Sequence, residues 1–188
     1  MREYFYLVSS LVTLSPEVKP LFTSDSFLEL CRGQIAESEW NILAATELID
    51  DGTLKSRLNS DCVLRQYWAW DGSLRNALLD VLAADGSGVK YKRVESEFFS
   101  ETAGIKNEAF AQNNPLEREE FLFTARWNFL DELAQKHQFD FNVLVIYRLK
   151  LLLLEQRQKY HHESGVKNLE NLVEELLNQR SDASNPGN

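Results

Sequence analysis

Asn114-Pro115-Leu116-Glu117-Arg118-Glu119-Glu120-Phe121-Leu122-Phe123-Thr124-Ala125-Arg126-Trp127-Asn128-Phe129-Leu130-Asp131-Glu132-Leu133-Ala134 decides the fold class. Asn114 suits an N-cap, Pro115 the first helical position, and Glu117 complements the dipole of a first turn. Leu116, Phe123, Trp127, Leu130 and Ala134 then fall on one helical face, which Leu122, Phe129 and Leu133 widen. The acidic turn of Glu117, Glu119 and Glu120 needs no function beyond that dipole.

Outward from this helix the same period recurs. Phe141 to about Tyr160 is apolar on nearly every side through Leu154, and its length and leucine content favour a helix over a buried strand. Val166, Leu169, Leu172, Val173 and Leu176 predict one more amphipathic helix, and Ser181–Asn188 a disordered tail. Towards the N-terminus, Tyr4, Leu7, Val8 and Leu11 predict a short helix. Ser26 and Glu29 suggest a capping box for a second, up to Gly33. A third runs from Glu37 to Asp50 and a long one from Lys55 to Ala84, which Asp71-Gly72 bends or splits. Asp85-Gly86-Ser87-Gly88 is a linker, followed by a weak helix over Glu95–Gln112. The expected architecture is therefore all-α, a bundle of seven to eight helices in two lobes. Residues 1–84 form the first lobe, 85–113 a linker and weak helix, 114–180 the second lobe and 181–188 the tail.

Composition narrows the function. The chain has 188 residues, 44% hydrophobic and 26% charged, with 4 Pro and 8 Gly, as befits a helical globular protein. A net charge of -9 argues against nucleic acid and anionic lipid as partners. Two cysteines, Cys31 and Cys62, suggest a reducing compartment and buried thiols. Met1-Arg2-Glu3 opens no signal peptide, and no segment has the roughly 20 apolar residues of a membrane span. Three histidines leave little room for acid–base or metal chemistry. His161-His162-Glu163 points its side chains in different directions on a helix, and His137 suits a helix C-terminus. Gly86-Ser87-Gly88-Val89-Lys90 lacks the Gly-Lys-Ser/Thr of a phosphate loop. No metal, cofactor or catalytic constellation is expected.

The aromatic turn Tyr67-Trp68-Ala69-Trp70 admits two readings. Helical period puts Tyr67 and Trp70 together and Trp68 away from them. Either one face meets a partner, where Trp, Tyr and Arg concentrate, or both are buried between two layers of helices. The residues expected to shape partner contacts are Tyr67, Trp68, Trp70, Arg75 and Asn76, with Arg126, Trp127 and Arg148. Arg75 and Asn76 equally suit an internal role at a helix end or buried carboxylate.

Three stretches also carry a resemblance. Met1-Arg2-Glu3-Tyr4-Phe5-Tyr6-Leu7-Val8-Ser9-Ser10-Leu11 with Leu14-Ser15 is similar to the opening of a bacterial family encoded beside V-type (A/V-type) ATPase genes. Leu74-Arg75-Asn76-Ala77-Leu78 resembles that family's middle motif. Phe139 to Leu144, Tyr147 to Leu151 and Glu155-Gln156-Arg157 resemble its closing one. The family is similar in turn to the C subunit of V/A-type ATPases, the helical funnel joining the central rotor stalk to the membrane rotor ring. This chain is shorter than that funnel, and Val12 stands where a proline is expected. The resemblance implies a non-catalytic, cytoplasmic subunit or accessory, peripheral to the inner membrane, with central-stalk and membrane-ring subunits as partners. Two rivals remain: a helical adaptor for an unrelated partner, engaging through Val166–Leu177, and a hydrolase using His161-His162-Glu163.

Overall fold

Local capping chemistry sets the second half of the molecule. Asn114 accepts a hydrogen bond from the Glu117 amide at 2.8 Å, with Pro115 in the first helical position, and the helix runs unbroken over Pro115–Ala134. The computed structural model describes residues 4–50, 52, 54, 58–59, 62–84, 93 and 97–161. Among these are seven helices and no strand. They are α1 (Phe5–Ser10), α2 (Ser24–Cys31), α3 (Glu37–Ala44), α4 (Val63–Ala84), α5 (Glu101–Phe110), α6 (Pro115–Ala134) and α7, residues 141–161.

Several helix ends differ from the sequence reading, each for a physical reason. Thr23, not Ser26, caps α2: its hydroxyl accepts from the Ser26 amide at 3.2 Å, while Glu29 pairs with Arg32. Helix α3 stops at Ala44 rather than Asp50, because the carbonyls of Ala44 and Thr46 are taken by a distant side chain described below. Helix α4 starts at Val63 rather than Lys55, its first amide donating to Asn142 Oδ1 at 3.4 Å. Asp71-Gly72 does not split it: both residues are buried mid-helix and the helix runs on to Ala84. The weak helix contracts to α5, and Leu116 is exposed although its partners on α6 are buried. The expected linker at residues 85–88, the helix at 166–176 and the tail at 181–188 lie outside the described residues.

The contact pattern divides the chain into residues 1–154 and 155–188. In the second unit Gln156 Nε2 donates to Tyr160 Oη at 3.2 Å. In the first unit one apolar cluster joins residues from both sides of the expected linker, among them Leu7, Phe27, Leu43, Leu64, Trp127 and Leu149. A smaller cluster gathers Trp70, Leu74, Ala109 and Leu122.

Every side chain from residue 144 to 149 of α7 is buried, as a centrally packed helix requires. One of them is charged. The Arg148 guanidinium donates to the carbonyls of Thr46 (3.2 Å), Ser24 (3.2 Å) and Ala44 (3.5 Å). A cation placed on the orphan carbonyls at the end of α3 is favoured by the helix dipole, and it pins α2 and α3 to α7. Replacing Arg148 by Met should lower the unfolding free energy by about 3 kcal/mol in urea titration, because buried carbonyls lose a charged donor.

Burial also leaves an alkaline signature. The Cys31 thiol is pushed up from 9.0 to about 12 by burial, with Arg148 opposing. Burial raises the Tyr147 phenol from 10.0 to about 12. An acid whose native pKa exceeds its unfolded value keeps its proton in the native state after the unfolded chain has released it. Stability is then unaffected below pH 9 and falls as pH rises from 9 towards 12. The urea midpoint should drop between about pH 8 and about pH 11, and Cys31→Ala should flatten the drop.

Candidate functional site

Tyr67, Asp71 and Arg75 recur every fourth residue of α4 and so share one stripe of the helix. Arg126 of α6 reaches the same stripe. Its Nε donates to Asp71 Oδ1 at 2.8 Å, while Arg75 Nε stands 2.9 Å from Asp71 Oδ2. Asp71 is only 2% exposed. One buried carboxylate therefore faces two guanidiniums, and Glu119 adds a second negative charge on the Arg126 side.

The two arginines are not equivalent. Burial opposes the charge on Arg126, yet Asp71, Tyr67 and Glu119 more than offset it, and the guanidinium titrates above its ordinary range. Arg75 makes an ion pair without a directed hydrogen bond, and both its Nε and Nη2 are buried with no hydrogen-bond acceptor. The Tyr67 hydroxyl is buried beside them, likewise without a partner. Burial pushes its pKa upward, Asp71 adds to the rise, and Arg126 and Arg75 oppose it.

The other side of α4 is tied to α5. Ser73 Oγ lies 3.0 Å from Thr102 Oγ1 and accepts from the Phe99 amide at 3.1 Å, and Trp70 Nε1 donates to Glu101 at 3.1 Å. Trp70 also stacks on Phe129 of α6, with ring centroids 4.4 Å apart and planes 7° from parallel. Beside this stack opens a cleft of about 530 Å³, lined by Arg65 and Gln66 of α4, by Phe99, by Phe129 and Glu132 of α6, and by Lys136 just past its end. It holds both charge signs over an aromatic floor.

The expected contact residues separate into three places. Tyr67, Arg75 and Arg126 converge on Asp71, with Trp70 and the half-buried Asn76 nearby on α4. Trp68 faces the opposite way and is buried, its Nε1 donating to the Glu47 carbonyl at 2.8 Å. Trp127 lies in the main cluster under the Lys150 ammonium, 4.7 Å from the ring centroid. Arg148 is the clamp on α2 and α3. Both faces of the aromatic turn are thus buried within the chain, the second of the two readings above. Asp71 was missed, although its spacing from Tyr67 and Arg75 was visible.

His137 and Cys62 do not join this site. His137 Nδ1 lies 2.6 Å from Asp140 Oδ2, just past the end of α6. Burial raises the Cys62 thiol, with the Leu64 and Arg65 amides opposing. Among the described residues no group of three His, Cys, Asp or Glu is placed to hold a metal ion. His162 and Glu163 lie outside those residues.

Asp71→Asn should cost about 3 kcal/mol in urea unfolding, because it strands two buried guanidiniums. Arg75→Gln should cost less than about 1 kcal/mol, since the directed Asp71–Arg126 bond survives it. Searches of protein-family models, curated proteins and solved structures find no match to this chain.

Proposed function

We propose that this chain is a non-catalytic docking and coupling component, similar to the C subunit, that bridges the central stalk and membrane ring of a V/A-type ATPase. The observation that carries the docking part is a run of exposed apolar side chains on and after α1. Phe5, Val12 and Val18 are exposed there, with Tyr6 at 89% and Leu21 at 81%. Large apolar side chains left outside a core are what a protein partner covers.

This surface is built on a rigid support. The Tyr4 amide donates to the Phe139 carbonyl at 2.6 Å, the Phe5 and Phe139 rings lie 4.7 Å apart, and the Tyr147 hydroxyl donates to the Val12 carbonyl at 2.9 Å. The opening and closing stretches of the family resemblance are therefore neighbours in space, which favours one shared role for them. Helices α4 and α6, of 22 and 20 residues, provide rods about 30 Å long, suited to transmitting force between two partners. Among the described residues no helix is long and apolar enough to cross a membrane, so the membrane ring would be met through its own protein components.

Affinity purification of the tagged chain from its native cells should recover stalk and ring subunits of the ATPase. Tyr6→Asp and Leu21→Asp should each reduce that recovery at least about tenfold without changing the melting temperature, since both residues are exposed. Recovery of an unrelated protein through the same residues would instead identify an adaptor. Undiminished recovery with both variants would contradict this docking surface.

A further inference from the structure

The cleft beside the Trp70–Phe129 stack grades from an apolar floor to a charged rim. Leu133 is buried there and Phe99 and Phe129 are half-buried, whereas Arg65, Glu97, Glu132 and Lys136 are exposed. All of them line one space of about 530 Å³, a size that takes a small organic molecule. The floor is set before any ligand arrives. Phe129 stacks on Trp70, whose indole Nε1 is held by Glu101. Phe99 is fixed through its backbone: its amide donates to Ser73 Oγ at 3.1 Å and its carbonyl accepts from Thr102 Oγ1 at 2.7 Å.

The rim is balanced and unspent. Arg65 and Lys136 bring two positive charges, Glu97 and Glu132 two negative ones. Among the described residues none of the four is in an ion pair, and Arg65 reaches only the Leu58 carbonyl, at 3.5 Å. Two further acidic residues on these segments, Glu101 and Asp131, are engaged by Trp70 and Lys150.

We propose that this cleft binds a free amino acid with an aromatic side chain, its ring on the Phe99–Phe129 floor and its ammonium and carboxylate at the rim. The charge pattern selects the zwitterion. A ligand with one charge gains one sign of the rim and is repelled by the other, whereas a zwitterion uses both and adds no net charge. Polyanions meet Glu97 and Glu132 as well as a chain of net charge -9. The floor favours an aromatic body, because rings pair with rings beyond the area they bury. Floor rings already held in place keep the ordering cost of binding low. Such binding requires no ATPase partner.

The test uses the full ¹⁵N-labelled chain, following the backbone amides of Ala69, Phe99 and Leu133 during titration with L-phenylalanine. Phenylacetate, phenethylamine and N-acetyl-L-phenylalanine amide, at matched ionic strength, serve as parallel probes with one charge or none. L-phenylalanine should shift these signals saturably, with half-saturation on the order of a few mM for a ligand of this size. Each comparator should bind at least about threefold more weakly, as should L-phenylalanine to Arg65→Gln or Glu132→Gln, since partly exposed ion pairs are worth factors of this order. Both variants change exposed side chains and should melt like wild type. Shifts that stay linear to about 50 mM, where binding on the scale of a few mM would have saturated, would overturn the proposal. So would a comparator that binds as tightly as L-phenylalanine, or wild-type affinity in both variants.

Discussion

A carboxylate buried between two long helices constrains everything around it. Asp71 sits in the middle of α4, where a charge without a partner would cost several kcal/mol and where Gly72 beside it weakens the helix further. The Arg126 bond at 2.8 Å removes that cost and fixes α6 against α4 in one register. Once that register is set, Trp70 meets Phe129 face to face, and Ser73 presents its hydroxyl to α5. The smaller apolar cluster is thus arranged around an ionic contact rather than beside it.

Arg148 plays the equivalent part for α2 and α3. It takes three carbonyls from α2 and the end of α3, segments whose short helices would be marginal in isolation. With those segments pinned to α7, and with Tyr4 and Val12 bonded to Phe139 and Tyr147, the exposed apolar residues of the N-terminal stretch rest on a stiff base. The two arginine systems have different outcomes. Arg148 is spent on backbone acceptors, whereas Arg75 and Arg126 share one carboxylate.

What the sequence revealed and what it hid follow the range of the interactions involved. Helix α6 was legible because Asn114, Pro115 and Glu117 act within one turn, and α7 because its apolar run is long. The ends of α3 and α4 were not legible, since Arg148 and Asn142 set them from far along the chain. Asp71-Gly72 reads locally as a break, and only the contact from Arg126 reverses that. Residue type marked Tyr67, Trp68, Trp70, Arg75, Arg126, Trp127 and Arg148 as candidates for contact, because core and interface draw on the same side chains. Burial within the chain then separates them, and the convergence of three on Asp71 is a tertiary fact that no local pattern encodes. The proposed choice of partner comes from the resemblance alone, while the exposed apolar side chains of the N-terminal stretch supply the chemistry a partner must satisfy.

Asp71 acts through its charge, balancing Arg126 first and Arg75 only in part. A double-mutant cycle on Asp71→Asn and Arg126→Met, read by urea unfolding at neutral pH, measures that directly. The expected coupling is about 2–3 kcal/mol for this pair and under about 1 kcal/mol for the matching cycle with Arg75→Gln. A coupling below about 0.5 kcal/mol between Asp71 and Arg126 would mean that apolar packing alone holds the seam, contradicting the claim.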